Sequence, residues 1–202
     1  MTLFLDSDQP IRKQEQMLPH WQQGDVWIFL TWRQGDSLPQ SKILQWKQEK
    51  EAWLNHYPKP WDDETEAKYY KRFGQTMDEW LDAGYGSCLL KKEKNAQIIS
   101  DALLHFNNQR YTLSDFVLMP NHVHVLFHPL KKHKLGDIVK TWKAFTAKEI
   151  NAHENMRGPF WQANYWDRLI RSEEHFKWTQ KYIQQNPKKL RSGSYVLWSA
   201  GL

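Results

Sequence analysis

Hydrophobic and polar positions follow two different periods along this chain, and each period predicts one type of element. Short runs rich in β-branched and aromatic residues are typical of strands, whereas apolar residues spaced three and four apart are typical of helices. The pattern predicts strands at 26–32, 111–119 and 122–128, helices within 41–82, over 93–107, over 136–150 and from Ser172 to Pro187, and an extended stretch at 160–170. Pro58 and Pro60 divide the segment 41–82 into two helices, and Pro120-Asn121 predicts a turn between the second and third strands.

The order of these elements indicates the fold class. Strand, helices, strand, strand, helix and strand follow one another as in a ferredoxin-like α+β fold, in which an antiparallel sheet carries its helices on one face. A last helix follows the sheet. The length of 202 residues predicts a single domain over 1–202.

Composition and charge narrow the class of protein. A chain with 40% hydrophobic and 25% charged residues is not disordered, and a single cysteine, Cys88, excludes a disulfide framework and a Cys-based zinc ribbon. The N-terminal residues lack an apolar signal region and no run approaches about 18 apolar residues, so we expect a soluble, cytoplasmic protein without a membrane partner. Residues 121–202 carry 14 Lys and Arg against 6 Asp and Glu, whereas residues 1–120 carry 14 against 17, which favours a polyanion partner, nucleic acid first.

Histidines occupy alternate positions of the third predicted strand. Because strand side chains repeat every two residues, His122, His124 and His128 share one face, and the apolar residues at 123, 125 and 127 occupy the other and should pack against helices. Two neutral imidazoles one strand repeat apart can bind one divalent ion. An exposed strand face that happens to carry histidines is the alternative, and we interpret His128 as strand-end packing.

One stripe of the last predicted helix combines a tyrosine with polar and aromatic side chains: His175, Trp178, Thr179, Tyr182 and Asn186. A tyrosine near a metal can act as a nucleophile on a phosphodiester, although its ordinary pKa of about 10 requires a base or a cation nearby. Asn186 can supply a neutral oxygen ligand. The alternatives are Tyr182 as a core residue and Asn186 as a helix stop, because the following proline disfavours helical angles at Asn186.

Two motifs resemble those of the single-tyrosine DNA transposases. Residues 118–126 (LMPNHVHVL) resemble their histidine–hydrophobic–histidine (HUH) strand, and residues 182–187 (YIQQNP) resemble the tyrosine helix of one branch, the REP-associated tyrosine transposases. Residues 18–21 (LPHW), 142–147 (WKAFTA) and 161–171 (WQANYWDRLIR) are also similar to that branch. The resemblance therefore covers residues 18–190.

This resemblance implies a ferredoxin-like domain that binds Mg²⁺ or Mn²⁺ and cleaves single-stranded DNA through a 5′-phosphotyrosine intermediate. It implies His122 and His124 as metal ligands, Tyr182 as the nucleophile and Asn186 as a third ligand. The implied target is a repetitive extragenic palindrome folded as a hairpin with a short single-stranded flank. Residues 41–82 hold more helix than compact insertion-sequence transposases carry, so we interpret them as an added helical segment. Relatives act as monomers or as homodimers, and both states stay open.

The basic C-terminal region supplies candidate DNA contacts. Lys140 and Lys143 lie one turn apart on one predicted helix, and Arg168 and Arg171 precede the tyrosine helix. Such cations bind the phosphate backbone. Exposed aromatic rings can stack on single-stranded bases, and the candidates are Trp161, Tyr165 and Trp166, with core packing as the alternative.

Two other functions stay open from the sequence. A domesticated nucleic-acid-binding protein on the same fold would bind hairpins without cleaving them. A zinc hydrolase would use His122, His124 and His128, but no general-base carboxylate is recognisable beside the strand. For the transposase hypothesis we expect His124→Ala to remove cleavage with little change in stability, because this strand face is expected to point away from the core. His128→Ala should cost far less activity.

Overall fold

The structure, a computed structural model, describes residues 3–6, 8–10, 12–14, 20–58, 61–130 and 132–201. Two units form, one of residues 1–35 with 89–202 and the other of residues 36–88. The helical segment expected at 41–82 lies inside the second unit, and the prediction of one domain over 1–202 stays a prediction. Leu18 and Pro19, in one of the similar segments, lie outside the described residues.

The elements are β1 (Arg12–Gln14), β2 (His20–Gln22), β3 (Ile28–Arg33), α1 (Gln40–His56), α2 (Asp63–Tyr69), a π-helix (Tyr70–Gly74), α3 (Gln75–Asp82), a 3₁₀ turn (Leu89–Lys91), α4 (Glu93–His105), β4 (Tyr111–Leu118), β5 (His122–Pro129), α5 (Leu135–His153), β6 (Trp166–Leu169), α6 (Glu173–Gln185), a 3₁₀ turn (Asn186–Lys189) and β7 (Val196–Ser199). In the described parts of the chain, no helix combines the length and the apolar character needed to cross a membrane.

Five strands form an antiparallel sheet in the order β6-β3-β5-β4-β7. Apart from the edge strand β7, the chain order β3-α4-β4-β5-α5-β6 combined with this spatial order is the ferredoxin-like arrangement. The predicted α+β class is therefore confirmed. The sequence pattern missed the short strands β1, β2 and β7, and within the stretch 160–170 only β6 is a strand.

One side of the sheet, here called the core face, is covered by α4 and α5. Val123, Val125 and Phe127 are fully buried there, as predicted. Trp142 Nε1 donates to Tyr111 Oη at 2.9 Å, and Tyr111 Oη donates to the carbonyl of Leu103 at 2.7 Å, so hydrogen bonds connect α5, β4 and α4. Each large apolar side chain buried in this way stabilises the fold by about 1.5–3 kcal/mol.

The opposite side, here called the site face, is covered by α6. A second buried cluster joins sheet and helix here and consists of Trp27, Phe29, Val117, Met119, Leu126, Ile170 and Ile183. His122 and His124 lie on this face and are 0% exposed. This strand face points away from the core face, as expected, but α6 covers it, so the expectation that substitutions here barely change stability does not hold. Removing a ring here leaves a cavity and lowers stability.

A buried carboxylate fastens α6 to β4. The pairing of β4 with β5 shifts between Leu113 and Asp115, and this bulge turns Asp115 toward α6. Asp115 is fully buried and accepts hydrogen bonds from Gln180 Nε2 at 2.9 Å, Gln184 Nε2 at 3.1 Å and Ser114 Oγ at 2.5 Å. These bonds fix the position of the tyrosine helix over the sheet.

The second unit is helical, with an aromatic interior. α1 ends before Pro58, and α2, the π-helix and α3 form one helical stretch, so the two predicted helices are confirmed; Pro60 lies outside the described residues. Trp46 Nε1 donates to the carbonyl of Phe73 at 3.2 Å, and the Trp53 ring packs edge-to-face on the Phe73 ring at 5.8 Å. These contacts join α1 to the π-helix.

Candidate active site

The rings of His122 and His124 meet on the site face with an interplanar angle of 81°. Their Nε2 atoms lie 3.1 Å apart. The other nitrogen of each ring is hydrogen-bonded: His122 Nδ1 lies 2.8 Å from Asn121 Oδ1, and His124 Nδ1 lies 2.7 Å from Thr31 Oγ1. Because an amide oxygen only accepts, His122 Nδ1 carries the proton and His122 Nε2 keeps a lone pair directed at His124.

Burial keeps both imidazoles neutral. It lowers the pKa of His122 well below the ordinary value of 6.5, and the adjacent His124 lowers it further. Burial also lowers the pKa of His124, to about 3. Neutral imidazole is the form that binds a metal, and hydrogen bonds at the second ring nitrogen orient such ligands.

The hydrogen-bond pattern at the pair leaves two arrangements, which differ in the role of Thr31. If Thr31 Oγ1 donates to His124 Nδ1, then His124 Nε2 carries a proton and donates it to His122 Nε2. If Thr31 Oγ1 accepts, both Nε2 atoms present lone pairs to each other, an arrangement that a cation held between them stabilises. The pair can therefore hold one proton or one divalent cation.

Tyr182 lies beside this pair. Ser172 begins α6 by accepting the N–H of His175 at 3.2 Å, and the helix then carries Tyr182 over β3 and β5. The Tyr182 ring packs edge-to-face against the His124 ring at 5.5 Å and against the Phe29 ring at 5.7 Å. The structure thus brings together the histidine pair and the tyrosine, which are far apart in the chain.

Asn186 follows one turn after Tyr182 and keeps the helical geometry. Its φ of −52° and ψ of −46° are helical, and its N–H donates to the Tyr182 carbonyl. Asn186 is thus the C-cap at which α6 ends, as the helix-stop alternative has it, but the following proline does not move it out of helical angles, because the chain continues as a 3₁₀ turn with Pro187 in its first turn. Asn186 Oδ1 is buried and accepts no hydrogen bond from the described residues.

By their chemical type, the donor atoms of His122, His124 and Asn186 suit a divalent cation. A buried amide oxygen without a partner costs about 1–3 kcal/mol, and a metal ion is one partner that removes this cost. Two neutral imidazoles and an amide oxygen are ligands that Mn²⁺ or Mg²⁺ can share with phosphate oxygens and water. Among the residues that the structure describes, no three His, Cys, Asp or Glu side chains form a cluster that could hold a metal.

His128 lies apart from the pair. Its ring packs edge-to-face on the Trp27 ring at 4.5 Å, and burial lowers its pKa. His122, His124 and His128 therefore form no common site in the part of the chain that the structure describes, and the three-histidine ligand set of the zinc hydrolase alternative is not observed there.

The four predicted DNA-binding cations have different surroundings. Lys143 directs its ammonium to the carbonyls of residues 162, 163 and 164, at 2.7, 2.7 and 3.5 Å, and burial lowers its pKa to about 8. All three of its donors are thus directed at the loop before β6. Arg168 and Arg171 lie close enough to His175, at the start of α6, to lower its pKa further below the value that burial sets, to about 4. Lys140 is exposed on α5.

The aromatic residues proposed for base stacking are largely packed. Trp161 is 6% exposed and its Nε1 donates to Thr146 Oγ1 at 2.9 Å, so it belongs to the core. Tyr165 and Trp166 are half-buried. Trp178 is 53% exposed instead, and its ring stacks on the Tyr182 ring at 5.7 Å.

Sequence reasoning missed the residues that surround the pair from β3. Phe29, Thr31 and Arg33 alternate along that strand, so all three face the histidines, and Arg33 pairs with His122 across the two strands. Burial lowers the pKa of Arg33. The alternation at 29, 31 and 33 was a usable signal, but only the pairing of β3 with β5 shows which residues it faces.

Comparison with known proteins gives three findings. Residues 89–186 match the family model "Transposase IS200 like". An uncharacterized protein of Haemophilus influenzae is 26% identical over 97 residues, a match that covers 37% of this chain and 53% of that protein, so the chain spans about half of that relative. A solved structure of a REP-associated tyrosine transposase bound to a REP hairpin matches with a TM-score of 0.49 at 14% identity, covering 82% of this chain and 68% of that one.

The region matched by the family model contains both motifs identified from the sequence. It begins at the 3₁₀ turn before α4 and ends at Asn186, so it includes the histidine pair on β5 and Tyr182 on α6. The resemblance to single-tyrosine transposases is thereby confirmed over residues 89–186, which match the model of the IS200-like transposases.

Proposed function

We propose that this protein is a metal-dependent DNA strand transferase of the REP-associated type. It would cleave and rejoin single-stranded DNA beside palindromic hairpins, in the cytoplasm, as a monomer or a homodimer. One observation carries the proposal: the Tyr182 ring contacts the ring of His124, whose Nε2 meets that of His122 in a buried, neutral pair. The hairpin target follows from the resemblance of the two motifs.

The proposed chemistry assigns a role to each residue of the site. His122, His124 and Asn186 would hold a Mg²⁺ or Mn²⁺ ion, which when bound polarises the scissile phosphate and lowers the pKa of a nearby hydroxyl. Tyr182 Oη releases its proton to solvent and attacks the phosphorus in line, forming the Oη–phosphorus bond as the bond to the 3′ oxygen breaks. The 3′ oxygen leaves with the electron pair and takes up a proton. A 3′-hydroxyl attacks the phosphotyrosine in the reverse reaction, so the phosphodiester energy is conserved.

The test uses single-stranded hairpins from the flanks of this chain's own gene, incubated with Mg²⁺, with Mn²⁺ or with a chelator. We expect a covalent adduct on a denaturing gel with either metal and none with the chelator. Tyr182→Phe should abolish the adduct and keep hairpin affinity within about twofold, because the phenyl ring preserves the packing. Tyr195→Phe, a partly buried tyrosine outside α6, is the matched control and should form the adduct normally.

Hairpin binding without any adduct under every metal condition would favour the alternative function, a domesticated nucleic-acid-binding protein on this fold. An adduct that persists in Tyr182→Phe would show that another residue is the nucleophile.

A further inference from the structure

The outer side of α6 next to Tyr182 carries a stripe of exposed side chains. Trp178, Lys181 and Gln185 are spaced three and four residues apart, so they lie in one row on the helix, and all three are exposed. Tyr182 lies beside this row and is half-buried. The row therefore runs along the nucleophile on the side that faces solvent.

Trp178 is the unusual member of this row. Its side chain is 53% exposed, and its ring stacks on the Tyr182 ring with a centroid distance of 5.7 Å and an interplanar angle of 16°. A large aromatic ring that is half exposed leaves apolar area in contact with water. The His175 ring also lies near it, at 6.4 Å and an interplanar angle of 50°, and the exposed half of the Trp178 side chain leaves area on which a further planar group can stack.

We infer that Trp178 is a stacking platform for a nucleobase next to the scissile phosphate, and that Lys181 binds a neighbouring phosphate. The inference rests on the proposed function for the identity of the strand as single-stranded DNA. Sequence-independent binding of such strands combines aromatic rings with positive charge, and Trp178 and Lys181 supply both within one helical turn. Glu174, one turn before Trp178, is exposed and repels phosphates, so the strand lies toward the C-terminal half of α6.

The test compares a dT oligonucleotide with an oligomer of the same length that has abasic sites throughout. Affinities are measured by fluorescence anisotropy on the Tyr182→Phe protein, which cannot form the adduct. We expect Trp178→Ala to weaken binding of the dT oligonucleotide by about tenfold and to leave binding of the abasic oligomer unchanged, because only the first has bases to stack. Trp178→Phe should retain most of the affinity, since a phenyl ring still stacks.

Two further variants complete the design. Lys181→Ala should weaken binding of both oligomers equally and reduce the salt dependence, because its contact is with phosphate. Phe145→Ala, an aromatic residue of α5 that is 50% exposed, is the matched control and should bind both oligomers normally.

The inference is overturned if Trp178→Ala weakens binding of both oligomers equally, which would indicate a structural role for Trp178. It is also overturned if the substitution weakens binding of neither oligomer. It stands independently of cleavage: a protein that forms no adduct with any hairpin but shows this base-dependent loss would contradict the proposed reaction and still support the platform.

Discussion

Two buried imidazoles with facing Nε2 atoms make the folded protein sensitive to acid. Burial lowers the pKa of His122 below 6.5 and that of His124 to about 3, whereas both regain ordinary values on unfolding. At a pH between the ordinary pKa of 6.5 and the lowered pKa of the folded state, the unfolded chain binds more protons than the folded protein. The free energy of unfolding is therefore highest above pH 6.5 and decreases as the pH falls below that value. In that window, each of the two histidines lowers the free energy of unfolding by about 1.4 kcal/mol for every unit by which the pH falls.

We therefore expect chelator-treated protein to lose unfolding free energy steadily between pH 7 and pH 5, as measured by urea denaturation. In His124→Gln the slope should be shallower, because one of the histidines whose pKa is lowered in the folded protein is gone; His128 and His175 also contribute to the slope and remain. A stability that is flat across this window would contradict a neutral buried pair.

Binding of a cation by the pair makes a second prediction at the residue scale. His124→Gln should abolish the rise in melting temperature that Mn²⁺ gives the parent protein, because one imidazole alone holds a divalent ion weakly. His124→Ala should also destabilise the protein, by roughly 2–4 kcal/mol, since its fully buried ring stacks on Phe29 at 5.4 Å.

His128→Gln is the matched control for this prediction, because His128 is also a buried histidine of β5 on the site face. It should lower the melting temperature through lost packing on Trp27 and keep the full Mn²⁺-induced rise. If both variants lose the Mn²⁺-induced rise in melting temperature, the metal site extends beyond His122 and His124. If His124→Gln keeps that rise, His122 and His124 are not the metal ligands.

At the scale of elements, α6 is held to the sheet from two sides. Tyr182 contacts Phe29 and His124 on one side, and Asp115 accepts hydrogen bonds from Gln180 and Gln184 on the other. Asp115→Ala removes the acceptor of Gln184 Nε2 and one of the two acceptors of Gln180 Nε2, the other being Ser114 Oγ at 3.0 Å. We expect a loss of about 3 kcal/mol in unfolding free energy and, in protein that is still folded, a fall in adduct formation on the order of 10- to 100-fold.

A matched variant separates this effect from simple removal of a carboxylate. Asp101 also accepts from a glutamine amide, Gln97 Nε2 at 2.6 Å, but on the exposed side of α4. Asp101→Ala should change the unfolding free energy by less than about 0.5 kcal/mol and leave adduct formation intact. Equal effects of the two substitutions would contradict the role of Asp115 in positioning α6.

At the scale of the whole molecule, residues 36–88 form a unit whose chain ends are close together. Leu89 N–H donates to Gln34 Oε1 at 3.0 Å in the first unit, and Ser87 N–H donates to Asp36 Oδ2 at 2.8 Å in the second. Close ends are the geometry in which an inserted segment can be removed without breaking the host fold.

We expect replacement of residues 40–84 by a short glycine–serine linker to leave the sheet and the Mn²⁺-induced rise in melting temperature intact. DNA affinity should also be retained, because residues 36–88 carry 7 Lys and Arg against 10 Asp and Glu and so add no net positive charge. Circular dichroism, thermal unfolding and anisotropy measure these properties. A chain that fails to fold after this replacement would show that the second unit is required by the first.

The sequence by itself determined the elements that carry strong periodic signals. The alternation at 122–128 predicts a strand with its histidines on one face, and the spacing of Tyr182 and Asn186 predicts a shared helical stripe, because these patterns depend only on local backbone geometry. Residues 118–126 and 182–187 also resemble the two motifs of the family, and the match over 89–186 confirms that assignment. Short strands such as β7 stayed hidden, since four residues give too little pattern.

Only the tertiary structure decided which residues meet. The pairing of β3 with β5 places Thr31 and Arg33 beside the histidines, and the packing of α6 buries a face that the strand pattern alone suggested was open. The tertiary structure also directs the Lys143 ammonium to three carbonyls and leaves Trp178 exposed beside Tyr182. Burial, hydrogen-bond partners and pKa values depend on neighbours from distant parts of the chain, and sequence spacing carries no information about those neighbours.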